Sequence, residues 1–299
     1  MKTITVNLTE EYTGKSVKDV LNSIGLSSRC ISRLKNNPSG IMLNRRRVTV
    51  RAVLHAGDLL ELDFGDDVSS FEPQNLGVSV LYEDEYAAVF DKPGDMCTHP
   101  SHDIQSGTLA NAALWHFRQG GENITFRAVN RLDRGTSGTV ICAKDAHSSR
   151  MIAQSYEKVY ICVCHGTLPP SGTFDDPIRR CADSSMRRET GEGGQNAVTR
   201  FERLSASGGY SLAAVHLLTG RTHQIRVHFS CAGFPLAGDS LYGRPHEVIA
   251  RQALHCAAVK YRIGRKTVIA VSPIPDDICR LTESCALLLP SEDEIISLL

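Results

Sequence analysis

The sequence predicts an α+β protein in two parts, a small N-terminal domain and a larger C-terminal one, and three observations carry that expectation. The chain has 299 residues, more than a single core of ordinary size organises. Residues 66–77, Asp-Asp-Val-Ser-Ser-Phe-Glu-Pro-Gln-Asn-Leu-Gly, are polar, carry Pro73 and lack a hydrophobic period, which marks a linker between domains at 1–65 and 78–299. On either side of it, short alternating apolar runs are mixed with segments of helical period.

In the N-terminal part, an opening strand is followed by Val17, Val20, Leu21 and Ile24 at helical spacing, with Ser16 as N-cap and Gly25 as the stop. A second helix starts at about Ser28, with Ile31 and Leu34 inward and Arg29, Arg33 and Lys35 outward. Gly40-Ile-Met-Leu-Asn, a turn at Arg45-Arg46-Arg47, Val48-Thr-Val and the run from His55 to Leu62 read as short strands. The formal net charge of the whole chain is zero, yet Arg29 to Arg51 holds seven basic residues and no acid, whereas Pro273 to Leu299 holds six acids and one arginine. Basic residues from two separate elements converging without acids point to phosphate contact, which positions a nucleic acid without reading its sequence.

The second part opens with a strand pair ending in the Lys92-Pro93-Gly94 turn, then a helix from Thr108 to Phe117. Thr139 to Ala143 is a strand, and Asp145 to Glu157 a helix with Met151 and Ile152 on its buried side. The next strand carries Lys158, Tyr160, Cys162 and Cys164 on one face and Val159, Ile161 and Val163 on the other. Residues 179–194, basic at both arginine pairs and glycine-bearing, read as a mobile loop near the substrate. Asn196–Ser205 and Tyr210–Leu218 flank Ser207-Gly208-Gly209 as a hairpin. Thr219-Gly220 then leads into a helix, with Arg221 at its mouth, on which Ile225, His228, Phe229 and Ala232 share a face before Gly233 ends it. His223 and His228 are five apart, which is not the spacing of a zinc-binding helix, and both read as structural.

Hydrophobic residues make up 41% and charged residues 22%, ordinary for a globular protein and incompatible with wholesale disorder. No apolar run approaches the ~20 residues of a spanning helix, and Met-Lys-Thr-Ile-Thr-Val-Asn-Leu alternates like a strand rather than a leader peptide. A cytoplasmic protein without a membrane partner is expected. Ten cysteines without a C-x-x-C pair indicate reduced thiols. Cys162-Val163-Cys164-His165 lacks a second cysteine pair at zinc-finger spacing, so small buried hydrophobes are the reading and no metal is expected.

The centre of the chain is Arg-Ala-Val-Asn-Arg-Leu-Asp-Arg-Gly-Thr-Ser-Gly-Thr-Val at 127–140, which sets Asp133 between Arg131 and Arg134 ahead of a tight-turn sequence. Such a carboxylate is either a loop ion pair or an acid held ionised in a cleft. Asn130 to Gly138 resembles the His-Arg-Leu-Asp-x-x-Thr-Ser-Gly signature of the RluA-type pseudouridine synthases, with Asn130 in place of the usual histidine. Two further segments match in order, Lys158 to Gly166 and Leu218 to His228. In the first, Cys162 and Cys164 stand where the family tends to small or β-branched residues. Residues 13–65 resemble the small RNA-binding domain shared by a small-subunit ribosomal protein and tyrosyl-tRNA synthetases.

The resemblance implies a mixed, largely antiparallel sheet with flanking helices and an active-site cleft across it. It implies Asp133 as catalytic carboxylate, Arg221 as the guanidinium that keeps it ionised, Tyr160 stacking on uracil and handling the C5 proton, and Arg131 filling the space a flipped uridine leaves. RNA contact through Arg29, Arg33, Lys35, Arg45, Arg46 and Arg47 completes the expected site residues. Isomerisation of uridine breaks N1–C1′, joins C5 to C1′ and moves one proton, so no cofactor is expected. The carboxylate serves either as nucleophile at C1′ or as base at C2′. A glycosidase would want two carboxylates flanking the bond, and these motifs offer one. The expected substrate is large-subunit (23S-type) ribosomal RNA and the expected state a monomer; a tRNA-modifying enzyme and a noncatalytic RNA-binding protein are the alternatives.

Overall fold

The computed structural model describes residues 3–26, 28–63, 71–101, 103–184 and 186–299, without the side chains of Thr3 and Arg29. The chain forms two compact units, Met1–Val68 and Ser69–Leu299. The first unit contains β1 (Thr3–Asn7), α1 (Val17–Ser23), α2 (Ser28–Asn36), β2 (Ile41–Leu43), β3 (Arg46–Arg47) and β4 (Leu59–Asp63), with sheet order β1-β4-β2-β3. Ser16 and Asp19 form a capping box, so α1 starts where its first amides find side-chain oxygens. Val17, Val20, Leu21 and Leu34 meet Ile41, Leu60 and Leu62 in one small core.

Asn44 (φ 52°) and Arg45 (φ 64°) are both left-handed and form the two-residue turn between β2 and β3, so the ladder begins at Arg46 rather than at Val48. The Asn44 side chain stabilises that turn through Asp58 (2.7 Å) and the Leu59 amide (2.9 Å). Arg45, Arg46, Arg47 and Lys35 are exposed and Arg33 is half-buried. Arg47 Nη2 donates to the Lys35 carbonyl (3.4 Å), which brings the turn beside the end of α2. The Arg29 side chain lies outside the described residues.

The second unit runs β5 (Val80–Glu83), β6 (Ala87–Lys92), α3 (Leu109–Gln119), β7 (Ser137–Ala143), α4 (Ala146–Ala153), β8 (Glu157–His165), β9 (Ser171–Phe174), β10 (Ile178–Arg180), β11 (Arg188–Thr190), β12 (Thr199–Ser207), β13 (Tyr210–Leu217), α5 (Gln224–Cys231), β14 (Leu254–Ile263), β15 (Lys266–Val271), α6 (Asp276–Ser284) and α7 (Glu292–Ser297). Its main sheet has the order β5-β6-β7-β14-β8-β13-β12-β9, with β15 paired to β14. All its pairings are antiparallel except the short one between β7 and β14, at His255–Ser137 and Cys256–Gly138. Gly138 makes that junction possible: at φ 114° it meets Cys256 so closely that a Cβ would lie 2.2 Å from the Cys256 carbonyl.

Both faces of the central strands are covered. Tyr160, Cys162 and Cys164 of β8 enter the core shared with α3, α4 and α5, while Val159, Ile161 and Val163 enter the one shared with α6 and α7. The two cysteines are wholly buried and burial pushes the Cys164 thiol up to about 12, so they behave as small hydrophobes.

Several segments differ from the sequence reading. Residues 66–70 of the expected linker lie outside the described residues, but 71–77 are tied to the second unit: Phe71 packs on its core, the Gln74 amide donates to Asn111 (3.0 Å) and Asn111 Nδ2 to Glu72 (2.7 Å). The segment's backbone, not its polar side chains, makes these bonds to Asn111 of α3, while the Gln74 side chain accepts from the Gly107 amide just ahead of it (2.7 Å). The expected loop at 179–194 contains the antiparallel hairpin β10–β11. The helix at α4 ends at Ala153, and Met151 is 37% exposed, because the buried face of the helix is Ser148 and Ile152.

Candidate active site

The loop between Asn130 and β7 is held by its own backbone oxygens. Four consecutive carbonyls each accept a hydrogen bond: Leu132 from Thr98 Oγ1 (3.0 Å), Asp133 from the Thr136 amide (3.0 Å), Arg134 from Lys92 Nζ (3.2 Å) and Gly135 from Arg251 Nη1 (2.9 Å). Lys92 is fully buried at the end of β6, and its ammonium also donates to the carbonyls of Pro93 (2.8 Å) and Met96 (2.7 Å). Burial and the Arg251 charge pull its pKa down to about 7, while three carbonyls matching three N–H bonds favour the charged form. Arg251 is itself locked by a two-point ion pair with Asp277 of α6 (2.6 and 2.8 Å). Asn130, in the position of the family's usual histidine, joins the loop to β7 by donating to Thr139 (3.0 Å) and accepting from the Ile141 amide (2.8 Å).

Asp133 projects from this loop into a cavity of about 330 Å³, within the range of small-molecule sites. The cavity is walled by the loop, the start of β8, the end of β13 and the first turn of α5, and it gathers Arg131, Asp133, Tyr160 and Arg221. Lys158, His223 and Arg226 line it too, and Asp133 is the only acid among its described lining residues.

The guanidinium at Asp133 is Arg226, not Arg221. Arg226 Nη1 lies 3.5 Å from Asp133 Oδ2, whereas Arg221 Nε donates to the Asn196 carbonyl (2.9 Å) at the rim. The reason is the turn into α5. Gln224 accepts from the Arg221 amide (2.9 Å) and donates to Val198 and Thr199 (3.0 Å each), which turns position 221 outward and position 226 inward. Arg226 in turn makes a two-point pair with the fully buried Asp239 (2.7 and 2.8 Å), whose Oδ1 also accepts from the amides of Leu241 and Tyr242. Burial opposes both charges, yet the pair more than offsets it: the Asp239 carboxyl is pushed down and the Arg226 guanidinium up. Losing one partner of such a buried pair costs on the order of 3–5 kcal/mol.

Tyr160 is 4% exposed, opposite Cys256 in the ladder. Burial, with Cys256 and Asp133 adding to it, pushes its phenol well above the ordinary value. It therefore stays protonated near neutrality. Lys158 Nζ lies 5.3 Å from the Tyr160 ring centre and 5.8 Å from that of Tyr156, a cation facing the same space. A second cavity, of about 410 Å³, shares Arg221 and Thr222 with the first and is lined also by Arg179, Arg180 and Arg188, with no acid among its described lining residues.

Lys92, Arg251, Arg226 and Asp239 were not read from the sequence as functional. One signal was present for Arg226: a cation in the first turn of a helix opposes the helix dipole and calls for anionic partners. His228, by contrast, is structural as expected, bonded to Thr199 (2.9 Å) and the Asp176 carbonyl (2.9 Å).

The model of the RNA pseudouridylate synthase family matches residues 86–231. The chain is 36% identical over 276 residues to the uncharacterized RNA pseudouridine synthase YjbO of Bacillus subtilis, covering 89% of this chain and 98% of that protein. It is 34% identical over 199 residues to ribosomal large subunit pseudouridine synthase D of Pseudomonas aeruginosa, covering 64% and 62%. The solved structure of human RNA pseudouridylate synthase domain containing 1 shares the fold, with a TM-score of 0.60 at 23% identity over 76% of this chain and 97% of that one. The chain belongs to the RNA pseudouridine synthase family, and it is an isomerase of uridine in RNA. No helix among the described residues is long and apolar enough to cross a membrane.

If the carbonyl tethers aim Asp133, Lys92→Met should slow the single-turnover rate roughly 10- to 100-fold, the cost of a misplaced reacting group, with little change in RNA affinity. Rapid-quench kinetics and filter binding measure the two; an unchanged rate would remove Lys92 from the positioning of the loop.

Proposed function

We propose that the protein converts specific uridines of large-subunit ribosomal RNA to pseudouridine, with Asp133 as the catalytic carboxylate, working as a monomer in the cytoplasm. The observation that carries the reading is Asp133, the one acid among the described lining residues, facing Tyr160, Lys158 and Arg226 across one cavity. One carboxylate suits isomerisation and is one short of glycoside hydrolysis.

A uridine must leave its stack to enter, at a cost of a few kcal/mol. In this reading the neutral Tyr160 ring stacks on the uracil, and Lys158 supplies a positive charge beside it. Asp133 then acts on the sugar, at C1′ as nucleophile or at C2′ as base; the same group serves either route. The N1–C1′ bond breaks, the base turns within the cavity, C5 joins C1′, and the C5 proton is exchanged for one on N1. Arg131, exposed at the loop, holds the RNA where the uridine has left. Arg221 stands at the rim, where the arginine-lined second cavity offers phosphate contacts.

The ribosomal substrate is supported by the likeness to the Pseudomonas aeruginosa enzyme, whose name states that substrate, and by the basic N-terminal unit. In that unit residues 1–65 bind RNA through the exposed Lys35, Arg45, Arg46 and Arg47, with Arg29 and Arg33 on α2. Arg45 keeps a left-handed backbone that a side chain rarely adopts, which displays it at the tip of its turn.

Mapping pseudouridines in total RNA from cells with and without the gene should reveal sites lost from large-subunit ribosomal RNA. Complementation by the wild type should restore them and Asp133→Asn should not; restoration by that variant would refute the role of Asp133. Replacing Arg45, Arg46 and Arg47 by Gln should lower the salt slope of RNA binding by about 2, with single-turnover chemistry on saturating RNA intact. An unchanged slope would take these arginines off the binding surface.

A further inference from the structure

His223 lies in the turn between β13 and α5 with φ 58° and ψ 19°, a left-handed conformation that costs a non-glycine residue roughly 1 kcal/mol or more. It stands at the N-cap of α5 without capping the helix. The strain therefore serves something other than the helix, and the imidazole indicates what. Nδ1 is 2.8 Å from the Tyr242 hydroxyl, and Nε2 is 4.0 Å from Asp133 Oδ2. The Tyr242 oxygen already accepts from the Arg188 amide of β11 (2.8 Å). With one acceptor site of that oxygen taken, we assign its proton to the bond with Nδ1, the tautomer in which the neutral imidazole carries its own proton on Nε2, facing Asp133.

Arg226 Nη1 and His223 Nε2 approach the same oxygen, Oδ2. Among the described residues, no hydrogen bond or ion pair reaches Oδ1. We propose that His223 is a positioning residue: its Nε2, 4.0 Å from Oδ2 of Asp133, joins Arg226 Nη1, 3.5 Å from the same oxygen, in drawing that oxygen to the protein side and so presenting Oδ1 to the ribose of the bound uridine. A carboxyl turns easily about its terminal bond, and a second N–H attracted to the same oxygen as Arg226 favours the orientation that leaves Oδ1 facing the cavity. The inference rests on the catalytic role proposed above for Asp133.

The groups facing the imidazole are Asp133 from the loop, Arg226 from α5, Arg188 from β11, and Asp239 and Tyr242 from the segment after α5. Burial lowers the His223 pKa below its ordinary value; Asp133 and Asp239 work against that and the two arginines with it. The neutral form is thus the working one, and acid converts it to a cation that donates from both nitrogens and breaks the pattern at Tyr242. Removing the Tyr242 hydroxyl takes a hydrogen bond from the neutral form, so Tyr242→Phe should raise the pKa and move the acid limb of the rate profile to higher pH.

The test uses the full-length protein and large-subunit ribosomal RNA transcribed with tritium at uridine C5, scoring tritium release in single turnovers. His223→Asn keeps a residue that tolerates the left-handed turn but is too short to reach Oδ2. It should lower the rate at saturating RNA about 10- to 100-fold with RNA affinity unchanged. Tyr242→Phe should retain activity at high pH and lose it at a higher pH than the wild type on acidification. A His223→Asn rate matching the wild type's, a defect confined to RNA affinity, or superimposed wild-type and Tyr242→Phe profiles would each overturn the inference. Absence of tritium release by the wild type itself would instead reject the proposed ribosomal substrate.

Discussion

The candidate site depends on a fixed positive charge beside Asp133, the carboxylate that faces its cavity. The Asp133 side chain is 27% exposed, so solvent screens that pairing only in part. Arg226 supplies that charge, and Arg226 is fixed because Asp239, wholly buried and anchored to two backbone amides, takes two of its nitrogens. A flexible surface arginine would give Asp133 the same charge at a poorly defined distance. The Asp239–Arg226–Asp133 order converts the stability of a buried pair into geometry at the Asp133 carboxylate.

The other half of the constraint is the backbone. Four successive carbonyls of one loop are bound, one within the loop by the Thr136 amide and three by donors from separate parts of the chain, which leaves that loop few ways to relax. Two of the donors are buried cations, Lys92 and Arg251, which would be costly in a core without such acceptors. Their burial and the loop's rigidity stabilise each other. The sheet contributes through the short parallel contact of β7 with β14, where Gly138 permits an approach no other residue allows, bringing the loop close to Arg251 and Gln252.

Much of this was legible in the chain. The alternation in β8 assigned Tyr160 and Lys158 to one face and three aliphatic residues to the other, because a strand buried on both sides still obeys its period of two. The turn at Gly208-Gly209 and the stop at Gly233 were readable because positive φ has a residue signature (59°, 80° and 86°). What failed was long-range pairing. Arg221 and Arg226 look alike in the sequence, and only the Gln224 contacts to β12 and the Asp239 carboxylate, thirteen residues beyond Arg226, tell them apart. Lys92 and Arg251 were invisible for the same reason: a buried cation is defined by carbonyls from distant segments, and composition assigns it to the surface. The hairpin at 178–190 escaped because its ladder is short and its residues polar.

The account stands most directly on which arginine holds Asp133. Single-turnover rates of Arg226→Lys and Arg221→Lys on saturating RNA decide it, because lysine keeps the charge at each place but loses the planar two-point geometry. The account requires Arg226→Lys to lose about 100-fold or more in rate, and Arg221→Lys to keep its rate while binding RNA more weakly. The reverse pattern, with the rate collapsing at Arg221 and surviving at Arg226, would contradict it.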